Sequence, residues 1–206
     1  MTVRSSLAGD REAILAVVRD AFATGGRDGQ EEVDIVEMTW SLGAGAAGLE
    51  LVAVDGGQVV GHVLAAYGHL DGREVVGVAP VSVVTARQGE GIGTALMTEL
   101  IRRADEAGLP LLVVLGEPAY YSRFGFEPSG PLGLSYPPAG ANSPYFQVRR
   151  LTGYEPAYRV SSPTAGSGPE RVTDLVPRPP MFAPRRSWRI GVHRWGCAVV
   201  MHLGCR

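Results

Sequence analysis

Apolar residues recur along the chain first at helical spacing and then at strand spacing. Ile14, Val17, Val18, Ala21 and Phe22 fall at i, i+3, i+4, i+7 and i+8, a stripe that predicts a core-facing helix with Asp10 as its cap. A second helical pattern carries Val33, Ile35, Val36, Met38 and Trp40, set between the glycine-rich stretches 24–29 and 43–48. Links of that kind predict two helices able to shift as a movable wall. Strand spacing follows at Leu49 to Val54 and at Gln58 to Tyr67, joined by Asp55, Gly56 and Gly57 as a tight hairpin, and then at Glu74 to Val84. A helix from about Gly91 to Ala107 places Ile92, Leu96 and Leu100 on one stripe and stops at Gly108 and Pro110. Leu111 to Leu115 is continuously apolar, the pattern of a sheet-centre strand beside a crossover helix. Phe126 to Pro144 reads as loop, and Tyr145 to Leu151 as a closing strand.

The pattern stops near Val160. Beyond it Ser, Pro, Gly and Arg dominate, and two of the three tryptophans and both cysteines, Cys197 and Cys205, occur there. So few periodic apolar positions cannot offset the entropy of ordering, which predicts one domain over 1–159 and a basic, Pro/Arg-rich, disordered tail over 160–206. Charge divides at the same place: residues 1–159 carry 12 arginines against 19 acids, net −7, and residues 160–206 carry 7 against 2, net +5. The acidic body argues against nucleic acid as its partner and suits cationic small molecules, or simply keeps the surface soluble. No apolar run reaches the length of a membrane span and Met1 to Ser6 lack a leader's apolar core, so the expectation is a cytoplasmic protein with no membrane partner.

Candidate chemistry lies in two segments. From Val81 to Met97 a β-rich run breaks at Gly89, Gly91 and Gly93 and opens an amphipathic helix. Such a turn gathers inward-facing N–H groups at the positive end of a helix dipole, and so suits a phosphate or diphosphate. Neither G-x-G-x-x-G nor the lysine-bearing Walker loop is present, and the chain contains no lysine; the spacing is Gln88-x-x-Gly91-x-Gly93. The second segment, Leu111 to Phe126, reads as a buried strand, a break at Gly116, Glu117 and Pro118, a short helix and an exit at Gly125. The histidines and cysteines show no metal-ligand spacing, no G-x-S-x-G exists, and the body has no cysteine for acyl-enzyme chemistry.

The Gln88-x-x-Gly91-x-Gly93 loop resembles the acetyl-CoA pyrophosphate loop of the Gcn5-related N-acetyltransferase (GNAT) superfamily. Leu111 to Phe126 resembles that superfamily's last common motif, with Tyr121 four residues before Gly-Phe, and its wording is similar to a bacterial subgroup typified by YhbS-like proteins. The resemblance covers roughly residues 1–159. It implies an α/β (α+β) fold: a single GNAT domain with a mixed, mostly antiparallel sheet splayed at its centre and helices on both faces. It also implies acetyl-CoA as co-substrate, with no metal. Backbone N–H groups of Gln88, Gly89, Glu90, Gly91, Ile92, Gly93 and Thr94 would hold the pyrophosphate, the Glu90 carboxylate pointing outwards. Val81, Ser82 and Val83 would pair with the pantetheine amides, Ser82 being small enough for close approach, and the Val83 N–H would face the acetyl oxygen.

Tyr121 is the implied proton donor to the departing thiolate, since a phenol with an ordinary pKa near ~10 is protonated at neutral pH; the competing reading is a core aromatic, as for Tyr120. The base stays open. Glu117 stands on the motif and joins Tyr121 as the catalytic pair, while Glu74, His62, His69 and a water chain are alternatives. The implied activity is direct transfer of acetyl to a primary amine of a small molecule or peptide through a ternary complex, with the 24–48 region lining the acceptor site. The alternative is a non-catalytic acyl-CoA sensor. Homodimers are common in the superfamily.

Overall fold

The computed structural model describes residues 1–70, 73–132, 134–135 and 143–155, and three two-residue strands within the remainder, 170–171, 188–189 and 204–205. Apart from those strands, the expected disorder of 160–206 lies outside the described residues, as do the side chains of His69 and Glu74. Strands β1 (Thr2–Ser5), β2 (Leu51–Asp55), β3 (Gln58–Leu70), β4 (Arg73–Val83), β5 (Leu111–Leu115), β6 (Glu127–Pro128) and β8 (Phe146–Arg150) form one mixed sheet in the order β1-β2-β3-β4-β5-β8-β6. β7 (Leu134–Ser135) pairs with β9 (Glu170–Arg171), and β10 (Trp188–Arg189) with β11 (Gly204–Cys205). The helices are α1 (Arg11–Phe22), α2 (Gln30–Leu42), α3 (Ile92–Glu106) and α4 (Pro118–Tyr121). No helix of the described residues is long and apolar enough to cross a membrane. By compactness the chain divides into two units, Met1–Ala66 with Val78–Ala104, and Tyr67–Gly77 with Asp105–Arg206.

In the first unit α1 buries Ile14, Val17, Val18 and Phe22, the expected stripe. Asp10 differs from expectation. Its carboxylate makes no capping bond to α1; it pairs with Arg4 at 2.6 Å and accepts the Leu7 N–H at 2.7 Å, closing the preceding 3-10 turn. α2 buries Val33 and Val36 but also Glu32 and Thr39, polar residues that fill the same helical face. The 43–48 segment is not a loose link. Ala44 and Ala46 are buried, the Ala46 N–H donates to Ala65 O at 2.8 Å, and Gly45 bridges to Ala66 on β3. Alanines small enough to lie against the strand anchor what composition alone presents as mobile. The β2–β3 hairpin turns at Gly56 (φ 55°) and Gly57 (φ 80°), the double positive φ of a type I′ turn.

α3 packs on one face of β3: a Cβ on Gly61 would lie 2.9 Å from the Ile92 side chain and 3.0 Å from that of Leu96. Successive strand residues point to opposite faces. His62, the next residue, bonds Glu50, which is also bound by Trp40 of α2, so the helices of this unit occupy both faces.

In the second unit β5 is buried throughout and pairs antiparallel with β8, from Leu111↔Arg150 to Leu115↔Phe146. β6 adds to the outer edge of β8, so the 126–144 segment is less purely loop than expected. Among the described residues β4 pairs in parallel with β5 at Val76↔Leu112 and Gly77↔Val113, and β4 runs on to Val83.

Candidate functional site

After β4 ends at Val83 the chain makes a 3-10 turn, Thr85–Arg87, and then reverses through Gly89 (φ 86°) and Gly91 (φ 84°) into α3. A Cβ at either glycine would meet nothing within 4 Å, so glycine is needed there for the left-handed backbone and not for space. Gly93 is already helical, which reduces the three glycines of the motif to two with a conformational role. The Ala95 N–H to Gly91 O bond, 2.9 Å, is the helix's first. The N–H groups of Ile92, Gly93 and Thr94 stand ahead of it, where an α-helix leaves its donors unpaired and its dipole positive.

Three further contacts shape the turn. Gln88 Nε2 donates to Val83 O at 3.2 Å, tying the first residue of the motif back to the strand end. Thr85 donates its N–H to an Asp20 carboxylate oxygen at 2.6 Å and its hydroxyl to Asp20 O at 3.0 Å. Arg87 pairs through Nε with Glu90 at 2.6 Å and through Nη1 with Asp55 at 3.1 Å. The Glu90 carboxylate is exposed and is held by Arg87 of its own loop. The N–H groups of Gln88 and Glu90 are used inside the turn, to Thr85 O at 3.3 Å and Arg87 O at 3.4 Å. Val81 and Val83 are half-buried; Ser82 is buried, and its Oγ has no hydrogen-bond partner among the described residues.

In the second unit Pro118 takes the first turn of α4, as its missing N–H allows. Glu117 is the N-cap, its carbonyl accepting the N–H groups of Tyr120 at 2.9 Å and Tyr121 at 3.1 Å while its carboxylate makes no capping bond. Tyr121 is buried at 3% exposure. Its ring occupies the space where any Cβ on Gly116 would fall, and it meets Tyr120 and Phe126 edge-on with centroids 4.9 and 5.6 Å away. Gly116 is held on both sides, its N–H to Tyr145 O and its carbonyl by the buried Gln147 Nε2, each at 2.8 Å. Gly125 ends the 3-10 turn Ser122–Phe124 that follows α4, with φ 76°, under the Arg149 guanidinium that bonds Phe124 O. Tyr120 lies half-buried beneath Arg123, 4.6 Å from its ring.

Two carboxylates, the half-buried Glu50 and the buried Glu32, escaped the sequence reading. Glu50 accepts from Trp40 Nε1 (2.8 Å), Ser6 Oγ (2.8 Å) and His62 Nε2 (3.1 Å). Burial alone would raise its pKa, but those three hydrogen bonds, led by His62, hold it below the usual value. His62 is fully buried, with Nε2 on Glu50 and Nδ1 lacking a partner among the described residues. Glu32, also fully buried, is raised by desolvation against the nearby Arg27. Glu50 carries no local signal, because Trp40, His62 and Ser6 lie 10, 12 and 44 residues away.

The structure thus brings Val81 to Thr94 together in the first unit and Glu117 with Tyr121 in the second. A turn with two left-handed glycines and a helix start whose donors are free of the helix fits a diphosphate. Residues 47–128 match the family model described as an acetyltransferase (GNAT) domain. The chain is 40% identical over 106 residues to the uncharacterized N-acetyltransferase YhbS of Escherichia coli K12, a match spanning 50% of this chain and 63% of that relative. Among solved structures it is similar to a GNAT family acetyltransferase from Brucella melitensis in complex with acetyl-CoA, at 33% identity and TM-score 0.61, covering 75% of this chain and 90% of that one. It is also similar to the structure of Escherichia coli YhbS in complex with CoA, at 32% identity and TM-score 0.66, covering 73% and 81%. With both motifs, the sheet order and these likenesses in agreement, the chain belongs to the GNAT acetyltransferase family.

Proposed function

We propose that the protein is an N-acetyltransferase that moves an acetyl group from acetyl-CoA to a primary amine by direct transfer within a ternary complex. The observation that carries this reading is the left-handed turn at Gly89 and Gly91, which opens α3 just after the strand Val81–Val83. The two solved relatives that hold acetyl-CoA and CoA support it.

Acetyl-CoA supplies its acyl group as a thioester, whose carbonyl carbon is open to an amine. The N–H groups of Gly89 and of Gly91 to Thr94 are the donors proposed for its diphosphate, since those of Gln88 and Glu90 serve the turn. Val81, Ser82 and Val83 offer a strand edge to the pantetheine amides. The Val83 N–H is assigned to the acetyl oxygen, where one donor typically contributes about 3 kcal/mol. As the amine nitrogen bonds to the carbonyl carbon, the carbon–sulfur bond breaks, one proton leaves the nitrogen and one reaches the sulfur. Tyr121 is assigned the second proton and Glu117 the first, directly or through water. The acidic body residues favour a cationic small molecule or peptide as acceptor.

The test is product mass spectrometry after incubation with acetyl-CoA and a broad panel of amines. Acetylated amine with release of free CoA is expected; tight CoA binding with no product from any amine would leave a sensor in its place.

A further inference from the structure

Arg87 is the only cation between Val81 and Thr94, in a chain without lysine, and it stands within the glycine turn itself. Its guanidinium is already spoken for. Nε serves Glu90 at 2.6 Å and Nη1 serves Asp55 at 3.1 Å, and both carboxylates are at least a third exposed. A phosphate binds arginine best through two neighbouring N–H groups of the planar fork. The side edge of that fork, Nε with Nη2, has lost Nε to Glu90, and the outer edge includes the Nη1 that serves Asp55. Exposed ion pairs of this kind contribute only about 0 to 1 kcal/mol, so a dianionic group can displace them. Asp55 is also paired with the Met1 ammonium at 3.0 Å, so the cluster sets two cations against two anions beside a backbone cradle for phosphate, and Glu90 is the carboxylate held by Arg87 alone.

We propose that Arg87 is a ligand for a phosphate of the coenzyme and that Glu90 and Asp55 compete for it, so that these two carboxylates set the coenzyme affinity from within the loop. The inference rests on the reading of this loop as the coenzyme site. Binding exchanges Arg87 from Glu90, a carboxylate three residues away, to the phosphate, and Glu90 thereby acts as a built-in competitor.

The experiment is calorimetric titration of the full chain with CoA, 3′-dephospho-CoA and pantetheine, using wild type, Arg87→Gln, Glu90→Gln and the double variant, with melting temperatures as the folding control. Arg87→Gln is expected to weaken CoA about 10-fold or more and to leave pantetheine unchanged. Glu90→Gln is expected to tighten CoA about threefold or more in the wild-type background and to lose that effect when Arg87 is absent. If the Arg87 effect disappears with 3′-dephospho-CoA, the ligand is the 3′-phosphate; if it persists, it is the diphosphate. CoA binding by Arg87→Gln equal to wild type overturns the inference, and Glu90 tightening that survives in the double variant overturns the competition, leaving a plain field effect. Failure of wild type to bind CoA at all would instead sink the functional reading.

Discussion

Asp20 and Thr85 are joined twice, the Asp20 carboxylate receiving the Thr85 N–H at 2.6 Å and the Asp20 carbonyl the Thr85 hydroxyl at 3.0 Å. The end of α1 thus holds the start of the glycine turn, across 65 positions of sequence. Removing one side leaves donors of the other unpaired at a turn that must keep its shape to gather N–H groups. Asp20→Ala is expected to weaken acetyl-CoA binding about 3- to 10-fold and to cost about 1 kcal/mol of stability. Calorimetry and denaturant melts check this; an unchanged dissociation constant would show that the turn keeps its shape alone.

At Gly91 conformation and charge act together. Gly91→Ala imposes a Cβ on φ 84° and is expected to cost about 1 kcal/mol, with a modest loss of affinity. Gly91→Asp adds a negative charge beside the N–H groups proposed to hold the phosphate and is expected to abolish measurable acetyl-CoA binding. Equal binding by the Asp and Ala variants would move the phosphate away from this turn.

For Tyr121 the discriminating change is phenylalanine, which keeps the ring packed against Gly116. If the hydroxyl protonates the thiolate, Tyr121→Phe lowers kcat roughly 10²-fold or more with acetyl-CoA binding intact, while Tyr120→Phe is mild. Steady-state kinetics with a genuine acceptor at saturating acetyl-CoA decide it, and an unchanged kcat would remove Tyr121 from the chemistry.

Glu50 and Glu32 respond to pH with opposite signs. The folded pKa of Glu50 lies below its ordinary 4.5, so its contribution is complete above that value and is lost as pH falls through the folded one. Glu32 is raised above the same 4.5, so stability is lost as pH climbs from there through its folded value, and at neutral pH its charge is a cost. At pH 7 Glu50→Gln is expected to destabilise by about 1 to 3 kcal/mol and Glu32→Gln to be neutral or stabilising. Denaturant melts between pH 4 and 7 provide the check; a large loss at pH 7 from Glu32→Gln would mean that its bond to Arg27 outweighs its burial.

A chain ending at Arg159 is expected to keep the coenzyme affinity and melting temperature of the full chain, because the apolar periodicity ends with β8. Loss of either on truncation would place part of the folded core beyond Arg159.

What could be read in advance follows from where the cause of each feature lies. The buried strip of α1, the double-glycine hairpin, the apolar β5 and the stop at Gly108 depend on neighbours a few residues away, and they appear where spacing places them. The glycine turn was legible for the same reason. What tied it down was not: Asp20 and Asp55 act through pairings with residues 65 and 32 positions away that no local pattern encodes. Composition misled at 43–48, where glycine and alanine signalled looseness, whereas Ala44 and Ala46 are buried and Ala46 is bonded to β3. Asp10 was correctly placed at a helix start, but Arg4 drew its carboxylate away from α1.

The bridge from Gly45 to Ala66 has a bearing on solubility. β2 pairs with β3 only as far as Val63, and β3 runs on to Leu70. Without the 43–48 segment, the backbone around Ala65 and Ala66 would present bare strand edge on that side, a template for pairing with the same edge of another molecule. By donating the Ala46 N–H to Ala65 O the segment shields that stretch. Its few hydrogen bonds therefore favour the isolated fold over self-assembly, a role measured by aggregation kinetics and invisible to any assay of turnover.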